Sequence, residues 1–229
     1  LPVDFNLVSH GDERRCAAQH LQALKPGDVV VYDRGYFSYF MLHLNMEAGI
    51  NAVFRVQQSC SSVIAKFLDS PEVDSIVSLY PSQRTLDDFA KAHPDFQLLP
   101  RTVRLAKYTA GGATFALATT LVDSQSVRLN DLAELYHARW GVEELYKVSK
   151  RLFLIEDFHT KFERGVKQEL FAHFTLITLN RLFAHQADSN LNPSDDSDKL
   201  QALNSSQDNR SANSIKVNFK NCIHVIARR

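Results

Sequence analysis

The stretch from Val29 to Val56 constrains the fold more than any other part of the chain. Residues 29–32 read VVVY, a short apolar run with β-branched residues and no alternation. Such a run fits a central parallel strand covered on both faces. Residues 37–48, FSYFMLHLNMEA, return to helical spacing, and Gly49 stands where a C-terminal capping glycine belongs. INAVFRV at 50–56 then reads as a second strand. Ahead of these, LPVDFNLV (1–8) alternates in part like a strand. DERRCAAQHLQAL (12–24) holds no breaker and sets Cys16, Ala17, Leu21 and Leu24 on a helical period. Asp12 suits its N-cap, and Lys25, Pro26, Gly27 and Asp28 end it and turn the chain. Strand, helix, strand, helix, strand is the pattern of an α/β sheet.

The middle of the chain changes character. From about Gln57 to Asn130, turn-rich segments (SPEV, YPSQ, AHPDF) alternate with β-rich runs. RTVRLAKY (101–108), the Gly111–Gly112 turn and ATFALATTLV (113–122) form a hairpin pattern. The expectation is a mostly β insertion within an α/β domain. Asn130 and Asp131 then open a long helical signal over 131–153, and a second runs from Glu163 to His185. Residues 187–214 are rich in Asp, Ser and Asn and read as a linker or disordered loop. The last stretch, IKVNFKNCIHVIARR, turns apolar again and stops early.

Composition narrows the function. Lys plus Arg and Asp plus Glu number 26 each, so the formal net charge is zero. A nucleic-acid site would therefore have to be a local patch. Cys16, Cys60 and Cys222 lie far apart with no CxxC pair, which argues against a zinc ribbon or a disulfide framework and fits a reducing cytosol. No run of about 18 apolar residues indicates a transmembrane helix. LPVDFN has neither the charge nor the apolar stretch of a signal peptide. It also lacks an initiator Met, the first being Met41, so the chain reads as a fragment of a longer protein.

One helix carries a chemical constellation. At 100° per residue, Tyr136, Arg139, Glu143 and Lys150 fall within a stripe roughly 60° wide. Leu145, Val148 and Leu152 point the other way. The plain reading is a solvated face laced with i,i+4 pairs, Arg139 with Glu143 and Glu143 with Lys147, worth about 0.2–0.5 kcal/mol each. On that reading Trp140 is core, and His137 is a surface residue rather than a ligand. Asp33 supports a functional reading. It stands at the carboxyl end of an expected parallel strand, where α/β sheets place their ligands. Gly35 behind it permits a close backbone approach or a positive φ, and Arg34 and Tyr36 can reach phosphate from the same turn. Carboxylates from that strand end and the helix, meeting, would bind hard divalent cations, with basic and aromatic neighbours holding a nucleic-acid backbone beside the metal.

The residues DRGY at 33–36 and the spacing Tyr136-x2-Arg139-x3-Glu143-x6-Lys150 resemble the second-Asp motif and the YREK signature of DDE transposases. The branch resembled is the large insertion-sequence family numbered four. GDERR, LATTL, RWGVEELYK and FHTKFERGVKQELFAHF resemble it too, so the likeness covers about residues 1–185, with VNFKNC near the end. It implies an α/β, ribonuclease H-like catalytic core with a mostly β insertion before the Glu-bearing helix. In those terms 1–56 is the first part of the core and 57–130 the insertion. Residues 131–185 hold the catalytic helix and the helix after it, and 186–229 are a polar linker and truncated tail.

The resemblance also implies metal-dependent cleavage of DNA and strand transfer at transposon ends. Two Mg²⁺ ions, for which Mn²⁺ may substitute, are held by three carboxylates. By position Asp33 matches the second Asp and Glu143 the Glu, both as catalytic and metal-binding residues. Tyr136, Arg139 and Lys150 match DNA-phosphate contacts, and Arg34 and Tyr36 are weaker candidates for that role. The first Asp belongs to a strand upstream of residues 1–8. Asp4 does not replace it, because LPVDFNLVSHGDERR resembles the segment that follows that strand. The chain is thus expected to supply no third carboxylate. The implied partners are DNA, as terminal inverted repeats and target, and a second copy in a homodimer on DNA, with no membrane. The implied setting is the bacterial cytoplasm, nucleoid-associated when on DNA. Two alternatives stay open: a catalytically dead DNA-binding remnant, and an α/β phosphate-handling hydrolase using Asp33. No GxSxG, P-loop, HExxH or GxGxxG motif occurs.

Overall fold

A computed structural model describes residues 13–92, 99–152 and 158–191. The strand expected at 1–8, the Asp12 cap and the apolar tail lie outside the described residues. The chain divides into two compact units at Glu143 and Glu144.

The first unit is built on five strands. β1 (Val29–Tyr32), β2 (Asn51–Arg55), β3 (Asp74–Leu79), β4 (Arg101–Ala110) and β5 (Ala113–Thr119) form one sheet in the order β1-β2-β5-β4-β3. β1 and β2 are parallel, with Tyr32 opposite Phe54, and the other pairings are antiparallel. The bounds of β1 and β2 match the sequence expectation closely, because apolar β-branched runs bounded by turn residues mark strands locally. The β1–β2 crossover is α2 (Tyr39–Glu47), whose first turn is capped by Ser38, its Oγ accepting from the Met41 amide at 3.1 Å. Gly49 follows α2 at φ +68°, the left-handed residue expected there. The β4–β5 hairpin turns through Gly111 and Gly112, both at positive φ.

The segment 57–130 carries more than a hairpin. It contributes β3, β4 and β5 to the same hydrogen-bonded sheet, and it also carries α3 (Ser62–Asp69) and α4 (Gln83–Ala92). Such long-range pairing leaves little mark on local sequence.

Side chains alternate across the sheet and set up two cores. On one face Tyr32, Phe54, Val56, Val103, Leu105, Ala116 and Ala118 pack with Met41 and Leu42 of α2 and Ile64 and Phe67 of α3. On the other face Val53, Ala106 and Leu117 pack with Leu132 and Tyr136 of α5 (Leu129–Ala138), where Val31 also packs. Arg104 is buried on β4. It pairs with Asp74 of β3 through Nε at 2.8 Å and donates from Nη1 to the Val127 carbonyl at 2.5 Å. That bond ties the segment entering α5 to the sheet. α1 (Glu13–His20) ends before the expected Leu24, its last turn tightening into a 3-10 turn at Leu21–Ala23.

α6 (Trp140–Leu152) begins in the first unit, and its residues from Glu144 belong to the second. The second unit also holds α7 (Glu163–Leu191). α7 continues six residues past the His185 end expected from sequence, into the polar stretch. The mixed α/β sheet with helices on both faces is consistent with a ribonuclease H-like fold.

Candidate functional site

The site starts where β1 ends. Because successive side chains alternate, Val31 faces α5, Tyr32 faces the opposite core, and Asp33 returns to the α5 side. Asp33 caps the 3-10 turn Arg34–Tyr36, its Oδ1 accepting from the Arg34 amide at 2.7 Å. The same oxygen accepts from the Tyr136 hydroxyl at 3.2 Å. On the other oxygen, Arg139 Nη1 lies 3.7 Å from Oδ2. The second nitrogen of that guanidinium, Nη2, donates to Glu143 Oε1 at 2.9 Å. Two half-exposed carboxylates far apart in the sequence thus flank one guanidinium. Since the guanidinium is a rigid plane, the flanking oxygens lie within about 9 Å of each other.

Electrostatics keep Asp33 charged. Burial pushes its carboxyl up, but the Arg34 amide, the Arg139 cation, the Tyr136 hydroxyl and Arg55 together hold it below the ordinary value. Tyr136 is pushed the other way, by burial first and then by the negative charge of Asp33.

The long helix expected over 131–153 is interrupted at Arg139. The Arg139 amide bonds to the Tyr136 carbonyl at 3.2 Å and the Val142 amide to the Arg139 carbonyl at 2.9 Å, three-residue steps that tighten the turn. Gly141, a poor helix former, follows at once. The uniform 100° projection fails across this joint. Tyr136, expected on the open stripe, is fully buried; its hydroxyl reaches Asp33, and the Arg139 guanidinium lies 5.6 Å over its ring. Arg139 and Glu143 keep their expected partnership.

The model for the transposase DDE domain matches residues 1–179. The chain belongs to this family. Among curated proteins, none matches it. Membership places the chain among proteins of DNA transposition, whose DDE domains cut DNA and generally use divalent metal ions.

Within this DDE domain the remaining expected residues fall as follows. Arg34 is exposed, and no hydrogen bond or ion pair engages its guanidinium among the described residues. The Tyr36 ring packs toward the core, 5.9 Å from that of Tyr32. Lys150 is exposed on α6 and belongs to the second unit. Gly35 has neither a positive φ nor a neighbour close to where a Cβ would stand, so its expected backbone role is not seen. Its carbonyl instead accepts from Arg14 Nε at 2.9 Å, which ties the Asp33 turn to α1. Trp140 is exposed rather than core, its ring edge-on to His137 at 5.7 Å.

Sequence reasoning passed over Arg55. It ends β2, the parallel neighbour of β1, so the strand-end rule that singled out Asp33 applies to it as well. Its guanidinium lies 4.7 Å over the Phe115 ring, and its charge favours the Asp33 carboxylate. His137, a surface residue by expectation, is half-buried with its ring edge against Tyr108 and Phe115. The Tyr108 hydroxyl is pushed up to about 12 by burial.

Asp33 and Glu143 are hard oxygen donors of the kind that suit Mg²⁺ or Mn²⁺. Among the described residues no group of three or more His, Cys, Asp or Glu side chains is placed to hold a metal. The donor set in view is two carboxylates. No helix among the described residues is long and apolar enough to cross a membrane.

Proposed function

We propose that this chain is the catalytic core of an insertion-sequence transposase of the branch numbered four, cutting and joining DNA at terminal inverted repeats. The observation that carries the reading is the meeting of Asp33 and Glu143 on the two nitrogens of Arg139. A cationic group already lies between two anions, and preorganised positive charge is what a site facing an anionic phosphate requires. Bound Mg²⁺ or Mn²⁺ would supply activation of water and neutralisation of charge on the phosphoryl group. Asp33 would offer Oδ2, with Oδ1 held by the Arg34 amide and Tyr136, and Glu143 would offer its carboxylate from α6. Arg139 would exchange its carboxylate partners for a DNA phosphate, to which its planar fork is suited. Lys150, Arg34 and, less directly, Tyr36 would bind the backbone. Tyr136 would serve as a positioning residue through Asp33. The working species would be a homodimer on two DNA ends, in the bacterial cytoplasm.

The test is metal-dependent nicking of duplex DNA carrying the element's inverted repeats. With the third carboxylate supplied, nicking is expected with Mg²⁺ or Mn²⁺ and is lost in both Asp33→Ala and Glu143→Ala; full activity in either variant would overturn the assignment. A second reading, DNA binding without cleavage, draws on the same guanidinium, because Arg139 already neutralises both carboxylates. That reading predicts metal-independent binding and no nicking. A phosphate-handling hydrolase would instead retain phosphomonoesterase activity in Glu143→Ala.

A further inference from the structure

β3 (Asp74–Leu79) is one edge of the five-stranded sheet, paired with β4 alone among the described residues. The Lys107 amide donates to the Val73 carbonyl at 2.7 Å just ahead of it. With that register, Ser75, Val77 and Leu79 turn their backbone groups toward β4, and Asp74, Ile76 and Ser78 turn theirs outward. Val77 and Leu79 pack into the core shared with α2 and α3, so the side chains of Asp74, Ile76 and Ser78 stand on the Arg104 face. There Ile76 is 60% exposed, and Tyr80, just past the strand, is 65% exposed. Edge strands are usually blunted by Lys, Pro or a bulge. β3 reads DSIVSL, with no Lys, Arg or Pro, and its register with β4 runs unbroken. β1, at the opposite edge, is shorter, and only its first residue, Val29, is exposed.

We propose that β3 pairs with β3 of a second copy of this chain, antiparallel about a two-fold axis at Ile76, so that two sheets join into one. The inference goes beyond the dimer on DNA proposed above, since it requires neither DNA nor metal. The self-complementarity of the strand is what selects a second copy. An antiparallel pair centred on Ile76 sets Ile76 opposite the partner's Ile76 and Asp74 opposite the partner's Ser78. Glu72, exposed ahead of the strand, then meets the partner's Tyr80. Each acidic residue faces a hydroxyl donor, and no like charges stand opposite each other. Centring the pair on Asp74 would instead bring two carboxylates face to face. With the axis at Ile76 all three outward-facing residues find a mate, which forms about six backbone hydrogen bonds between the copies. Main-chain bonds of this kind supply the attraction in strand addition, and the side chains on the shared face set the register.

The test is sedimentation velocity of the whole chain, without DNA or metal, across a concentration series. The parent is expected to associate reversibly to a dimer. Ile76→Lys sets two cations face to face, and Ser78→Pro removes an outward N–H while sparing every bond to β4. Each substitution enters the two-fold interface twice, so the dimer dissociation constant is expected to rise at least about tenfold. Phe171→Lys, at an equally exposed apolar residue of α7, is the control and leaves the constant unchanged. Circular dichroism is the same in all three variants and the parent. The register has its own readout, in a chain whose Cys16, Cys60 and Cys222 are replaced by serine. Cα atoms of a hydrogen-bonded antiparallel pair lie about 5.5 Å apart, within disulfide reach. Ile76→Cys is therefore expected to cross-link two copies on oxidation. Tyr80→Cys is expected not to, because its mate would lie roughly 27 Å off along the strand direction at ~3.4 Å per residue. A parent that stays monomeric, β3 variants that dimerise like the parent, or cross-linking by Tyr80→Cys and not by Ile76→Cys overturns the proposal. Loss of the dimer in Phe171→Lys alone moves the contact to α7 and overturns it as well. The nicking assay is independent of all these outcomes, so the strand pairing and the catalytic reading fail separately.

Discussion

Replacing Arg139 with methionine keeps most of an apolar stem and removes the cation shared by Asp33 and Glu143. The Arg139 side chain is 14% exposed, whereas those of Asp33 and Glu143 are 48% and 50% exposed. Ion pairs with half-hydrated carboxylates are each worth at most about 1 kcal/mol, so the loss at neutral pH should be about 1–2 kcal/mol. The two carboxylates left behind can be solvated, which keeps the cost far from the 3–5 kcal/mol of stranding a buried charge. The pH dependence carries the stronger test. Asp33 titrates below its ordinary value: burial raises it, and the Arg34 amide, Arg139, Tyr136 and Arg55 outweigh burial. A depressed carboxyl stabilises fully above the unfolded value of about 3.9 and loses that contribution as pH falls through the folded value. In Arg139→Met the Asp33 value rises, so the gap to the parent should be complete at neutral pH and shrink below about pH 4. Urea denaturation followed by the fluorescence of Trp140, the sole tryptophan and the next residue in the chain, reads this locally. An equal gap at neutral and acid pH, or a neutral-pH loss above about 4 kcal/mol, would refute the ion-pair account.

Tyr136→Phe removes one hydroxyl bond at 3.2 Å while keeping the buried ring. Asp33 should shift upward on carboxyl NMR titration, with a stability loss of about 1 kcal/mol; an unmoved Asp33 would remove Tyr136 from the site. Arg104→Met leaves Asp74 without its buried partner and frees the Val127 carbonyl that anchors the entry to α5. Because Asp74 is partly exposed, the expected destabilisation is about 3 kcal/mol, the low end for a broken buried pair. A loss under about 1 kcal/mol in thermal or urea unfolding would show that Arg104 does not anchor the helix.

The sequence signals that held are those that act within one turn or one strand. VVVY and INAVFRV marked β1 and β2 because β-branched runs between turn residues have few other solutions, and Gly49 marked a left-handed cap. The spacing from Arg139 to Glu143 survived because an i,i+4 pair needs only one turn of helix. What failed needed information from farther away. The pairing of β2 with β5 joins residues more than 60 apart, and no local pattern shows that the hairpin extends the β1–β2 sheet. α7 runs through Asp188 and Ser189 although both are poor helix formers, because adding residues to an existing helix costs far less than starting one. Tyr136 shows the limit most sharply. Its spacing put it on the reactive stripe, but the tightened turn at Arg139 breaks the projection, and the ring is buried beside Val53, Ala106 and Leu117. The hydroxyl still reaches Asp33 because β1 ends beneath α5. That juxtaposition belongs to the sheet rather than to the helix, and the same parallel pairing brings Arg55 alongside Asp33.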